Sequence, residues 1–129
     1  MMKYVIDEEK GWVFSRAFGR VSMADIMMHV QEILQDPAYR SGLNALLYLD
    51  GVVLPEMLEL TGGFRKFMAG LVKERGNSRW AIVSPDATCR TKAQSMLAGQ
   101  HLHNIQLAFF DDDASAKAWL ADAGPAPAQ

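Results

Sequence analysis

The chain has 129 residues, of which 50% are apolar and 22% charged, and its net charge is −2 at pH 7. This is an ordinary globular profile for one domain, long enough to bury roughly two thirds of its unfolded surface without staples. A lone cysteine, Cys89, excludes an internal disulfide, and no apolar stretch approaches the roughly 20 residues that span a bilayer.

The first segment, Met-Met-Lys-Tyr-Val-Ile-Asp-Glu-Glu, is broken by charge before a signal-peptide core could form. A reducing, cytoplasmic setting is therefore the expectation. Tyr4–Ile6 reads as a strand, Asp7–Gly11 as a hairpin turn and Trp12–Phe18 as a second strand. Period-two alternation sets Trp12, Phe14 and Phe18 on one side, with Val13, Ser15 and Ala17 on the other.

Ser22 is placed as a helix N-cap, and Asp25 three residues on imitates a capping box with a shorter acid. Met23, Ile26, Met27, Val30, Ile33 and Leu34 form the stripe of that helix, which Asp36-Pro37 closes. His29, beside Asp25 and Glu32, reads as part of its solvated face. The third strand, Leu43–Leu49, is apolar on both sides: Leu43, Ala45, Leu47 and Leu49 on one, Leu46 and Tyr48 on the other.

A long helix is predicted over Pro55–Arg75, with Met57, Leu60, Phe64, Phe67, Met68 and Leu71 as its buried stripe. Gly62 and Gly63 inside it cost about 1 kcal/mol each relative to alanine, and mark a kink, a break or a close approach of backbone or ligand. Arg79–Ser84 is the fourth strand. A helix from Asp86 to about Gly99 follows, with a thin apolar face of Cys89, Ala93, Met96 and Leu97. Ile105–Phe110 is the fifth strand, and Asp113–Ala121 a final helix with an acid-rich start. The domain is predicted over residues 1–122, with 123–129 as a flexible tail.

These elements predict an α/β fold: a five-stranded, mostly parallel sheet with about four helices and the N-terminal β-hairpin at its edge. Sequential right-handed crossovers put the helices mostly on one face. An uncovered opposite face with Leu46 and Tyr48 is then a candidate dimer surface.

The element order resembles the SpoIIAA-like group of STAS-related proteins. The resemblance rests on the Tyr4-Val-Ile-Asp-Glu-Glu-Lys-Gly hairpin and on Asp36-Pro37-Ala-Tyr39-Arg40-Ser-Gly42 leading to a strand that ends at Asp50. It rests also on Phe109-Phe110-Asp111-Asp112-Asp113 running into Ala118-Trp119-Leu120. It covers nearly the whole chain to about Asp122. It implies kinship of fold with bacterial anti-sigma-factor antagonists, and so a regulatory binding module, and with CRAL-TRIO lipid carriers, and so a hydrophobic ligand. In antagonists switched by phosphorylation the acceptor serine lies where strand leads into long helix. Here that junction, Asp50 to Glu56, holds no serine or threonine before Thr61, so such a switch is expected to be absent. Glu56 serves helix capping or stands in for a phosphate.

Other chemistry is sparse. Residues 65–92 hold Arg65, Lys66, Lys73, Arg75, Arg79, Arg90 and Lys92 against Glu74 and Asp86. Without aromatic interleaving this reads as solvated helix faces, with Lys73 and Arg75 complementing a helix dipole, and not as a nucleic-acid surface. His101 and His103 have a spacing that metals can use but no third ligand, so no metal and no cofactor is expected. Cys89 sits near a helix start yet on an apolar stripe. The eight methionines read mainly as core filler.

No catalytic constellation is visible, so the expectation is a non-enzymatic regulatory or protein-binding module, a homodimer with a protein partner. The alternative is a carrier or sensor of a lipid or other hydrophobic small molecule. Its ligand would lie at Gly62, Gly63, Phe64 and Phe67, with Arg65 or Lys66 at the rim for an anionic head.

Overall fold

The computed structural model describes residues 1–54, 62–98 and 104–122, and within them all side chains except those of 62–65, 68, 72, 96 and 98. Five strands, β1 (Met2–Asp7), β2 (Trp12–Arg20), β3 (Asn44–Val53), β4 (Ser78–Val83) and β5 (Ile105–Phe110), form one sheet in the order 1-2-3-4-5. The hairpin β1–β2 is antiparallel and every later pairing is parallel. Helices α1 (Met23–Gln35), α2 (Gly62–Arg75), α3 (Ala87–Ala98) and α4 (Asp113–Asp122) follow strands two to five. The predicted first half of α2, its stripe residues Met57 and Leu60, and the tail 123–129 lie outside the described residues.

Register sets two faces. Ile6, Val13, Ala45, Trp80 and Leu107 form one row, and Tyr4, Ser15, Leu47, Ile82 and Phe109 the next on the same side. α1, α2 and α3 pack on this face through Ile26, Ile33, Leu71, Ala93 and Leu97. The crossovers are sequential, so three helices fall on one side as expected. α4 follows the last strand, needs no crossover and folds onto the other face. There Ala116 and Leu120, both fully buried, pack on Trp12, Leu46, Ala81 and Val83.

That placement corrects the expected dimer surface. Leu46 is 3% exposed beneath α4, and Tyr48 is half-buried with the Arg16 guanidinium 5.2 Å above its ring. The three acids Asp111, Asp112 and Asp113 after a strand mark the start of the last helix, but not the face on which it lands.

Local chemistry explains the boundaries. The Ser22 hydroxyl accepts from Asp25 N at 3.1 Å while the Asp25 carboxylate accepts from Ser22 N at 2.9 Å, so the shorter acid does close a capping box. The bond from Ser22 N, with the Ser22 hydroxyl second, holds the Asp25 carboxyl below its usual range. β3 outruns its predicted end because Phe18 pairs with Asp50 while Gly19 pairs with Val52. Gly51 is the extra residue, a bulge that needs its positive φ of 58°. Asp50 is therefore an exposed strand residue, not part of a junction loop. Glu56 lies outside the described residues.

α2 ends on Gly76, at φ +67°, where an added Cβ would collide with the Ser41 hydroxyl. Gly76→Ala is expected to cost about 1–2 kcal/mol from left-handed strain alone. A urea midpoint unchanged from the parent would contradict this.

Candidate functional site

Small residues in facing layers leave space. On the sheet, Ser15, Ala17 and Ala45 occupy positions where a branched side chain would reach the helices; on α3 the facing residue is Ala93. The result is an apolar pocket of about 180 Å³ between the sheet and α1–α3. The pocket is about half open, and its space is of the order that takes a small hydrocarbon. Its walls are Val13, Leu47, Leu49 and Ile82 from the sheet, Ile26, Val30 and Ile33 from α1, and Phe67 and Leu71 from α2.

Three polar side chains reach this apolar lining: Ser15, His29 and Arg75. His29 is only 6% exposed, against the expectation of a solvated face. It lies three residues after Ile26 and four before Ile33, so it belongs to the buried stripe. Its Nε2 is 3.0 Å from the Ser15 hydroxyl, and the Tyr4 ring meets it edge-on at 5.7 Å. Burial holds the imidazole pKa below 6.5, and Glu32 offsets part of this.

With the native pKa below that of the unfolded chain, protons bind the unfolded state first as pH falls through about 6.5. Stability is thus expected to drop on acidification below that point, by at most about 1.4 kcal/mol per pH unit. His29→Gln should flatten that slope between pH 5 and 7, read from urea midpoints; equal slopes would exclude His29 as the cause.

Arg75 is the larger departure. It was expected to be a solvated cap at the carbonyl end of the helix, and it is 4% exposed. Phe67, Leu71 and Arg75 are spaced four apart, which places the arginine on the apolar stripe and turns it inward. Its Nη2 donates to Leu43 O at 3.0 Å, and its own carbonyl accepts from Gly42 N at 2.8 Å. The guanidinium lies 5.6 Å from the Tyr39 ring and 5.3 Å from the Trp80 ring. Burial pushes its pKa below the usual arginine value, with Tyr39 opposing, yet a guanidinium remains charged. No described carboxylate pairs with it.

Two donors at this place find no acceptor among the described residues. Neither Arg75 Nε nor Trp80 Nε1, both buried, has a hydrogen-bond partner among them. Each such group costs about 1–3 kcal/mol, more where charge is involved. Stacking of the guanidinium on two aromatic rings, at about 0.5–2 kcal/mol each, offsets only part of this.

The expected ligand residues divide. Phe67 lines the pocket, whereas Lys66 is exposed and away from it. Gly62 and Gly63 begin the described part of α2, and the side chains of Phe64 and Arg65 lie outside the described residues. The cation at the site is Arg75. A charge repeating the spacing of the apolar stripe was the signal that could have found it.

Cys89 is half-buried among Ile82, Leu49 and Ala93, with its thiol 4.0 Å from Val52 O, as its place on an apolar stripe implied. His101 and His103 lie outside the described residues. Among the described residues, no group of three His, Cys, Asp or Glu is placed to hold a metal, and no helix is long and apolar enough to cross a membrane.

No protein-family model matches the sequence, and no curated protein matches it. The structure is similar to that of an uncharacterised protein of the DUF3478 family with a SpoIIAA-like fold from Shewanella loihica PV-4. The two share 18% identity and a TM-score of 0.55 over 92% of this chain and 93% of the other. At that identity the likeness speaks for architecture alone, and it agrees with the element order read from the residues: this chain has a SpoIIAA-like fold.

Proposed function

We propose that the protein is a non-enzymatic carrier or sensor of a small hydrophobic molecule held between the sheet and α1–α3. The observation that carries this is the apolar pocket of about 180 Å³, which small residues keep open on both of its walls. Apolar walls with a few polar groups are the usual make-up of a ligand site. Titrating 15N-labelled protein with 1-hexanol tests it. Saturable shifts gathered on Val13, Ala45, Ile82 and Ala93 support the reading; absent or scattered shifts sink it.

A regulatory contact surface is a second reading, favoured by the sheet's other face. α4 covers the β3–β5 side, while Val5 on the edge strand is 66% exposed beside half-buried Phe14. A second copy of the chain is the proposed occupant, because an isologous pairing buries an edge strand at both subunits together. Light scattering at tens of micromolar should then give a dimer that Val5→Lys dissociates. A monomer in the parent protein excludes it.

A further inference from the structure

We infer that the ligand presents bare hydrocarbon to this pocket and keeps any polar group at the opening, a selection enforced by the bond between Ser15 and His29. This rests on the pocket reading above and names the class of molecule that the lining selects. Ser15, His29 and Arg75 border the space, yet the surface they leave facing it is almost wholly carbon. The Ser15 hydroxyl and His29 Nε2 engage one another at 3.0 Å. Arg75 turns its Nη2 to Leu43 O at 3.0 Å, and its Nε, like Trp80 Nε1, has no surface open to a ligand. The hydrogen bonding of Arg75 is therefore directed at the protein and not at the pocket.

Such a wall discriminates by what it withholds. A hydroxyl pushed against it leaves its water partners and finds none in return. Cyclohexane imposes the same loss, whereas octanol supplies hydrogen bonds of its own. The pocket is about half open, so a hydroxyl at one end of a chain can stay in water while the rest enters. A chain with a hydroxyl at each end has to bury one or fold back on itself. Ser15 is the residue to change, because without its hydroxyl the His29 Nε2 loses its partner beside the space. A neutral ring nitrogen is donor or acceptor according to tautomer, and an alcohol answers either.

The probes are 1-hexanol and 1,6-hexanediol, which share a chain and differ by the second hydroxyl, followed through the 15N shifts of Val13, Ala45, Ile82 and Ala93. In the parent protein the diol is expected to bind more weakly than hexanol. That factor should exceed the ratio of the two octanol–water partition coefficients by at least about tenfold. In Ser15→Ala the diol should gain at least about tenfold relative to hexanol, because His29 can then receive its inner hydroxyl. A parent factor no larger than the octanol ratio means that the wall does bond polar groups; it overturns the inference and leaves the pocket standing. Unchanged relative affinities in a folded Ser15→Ala protein overturn the role of the Ser15–His29 bond. Binding of neither probe to the parent overturns the pocket reading and this inference with it. The comparison within the parent protein needs no variant to fold.

Discussion

Leu120→Ala is expected to destabilise the protein by about 2–5 kcal/mol, a large share of the 5–15 kcal/mol typical of a small domain. Leu120 is fully buried and closes a cluster with Trp12, Leu46, Ala81, Val83 and Ala116. α4 has ten residues, too few to hold a helix in water by itself, so it persists through this packing. Its other ties are peripheral. Trp119 packs on Phe110 at 5.7 Å, and Arg79 lies 4.9 Å over the Trp119 ring and donates to the Trp119 carbonyl at 3.3 Å. Removing the Leu120 side chain leaves a void over Leu46 that these edge contacts do not fill. Urea unfolding should show a lower midpoint at an unchanged slope. A loss below about 1 kcal/mol would mean that α4 is not what shields this face.

The same helix shows how far residues alone carry the fold. Strand order, the hairpin at the edge and the two sides of β2 and β3 were legible, because alternation and acid or proline punctuation are local signals. The landing place of α4 was not. Nothing local to Asp113–Asp122 says which face it covers, and a helix after the last strand is free of the crossover rule that placed the other three. Within the site, the apolar wall at Phe67 was legible from helical spacing. His29 and Arg75 were not, because a polar side chain at a helix surface ordinarily faces water, and here the stripe position turns it inward. In both cases geometry overrode polarity: the residue turns inward with its stripe, and the fold then supplies partners. Ser15 partners His29. For Arg75, Leu43 O and two aromatic rings answer only part of the demand.

Ala93→Leu should separate empty space from ordinary looseness of packing. Ala93 is 6% exposed on α3, faces Ala17, Leu49 and Ile82, and borders the pocket. Leucine is nearly as good a helix former as alanine, so the backbone is barely perturbed. Its three extra carbons would enter the pocket and remove apolar surface from water, worth about 0.8 kcal/mol per buried methylene at best. A gain of about 1–2 kcal/mol is expected after the entropy of ordering the side chain. The volume that stabilises the fold is the volume a ligand needs. The affinity for 1-hexanol should accordingly weaken by about tenfold or more. A close-packed site would respond the other way, losing about 1–3 kcal/mol to strain, and that loss would show that no usable space lies beside Ala93. Gained stability with unchanged hexanol affinity would place the ligand elsewhere. The joint outcome, a firmer fold and a lost ligand, is the one a binding pocket predicts, because natural proteins keep such space at a cost in stability where function requires it.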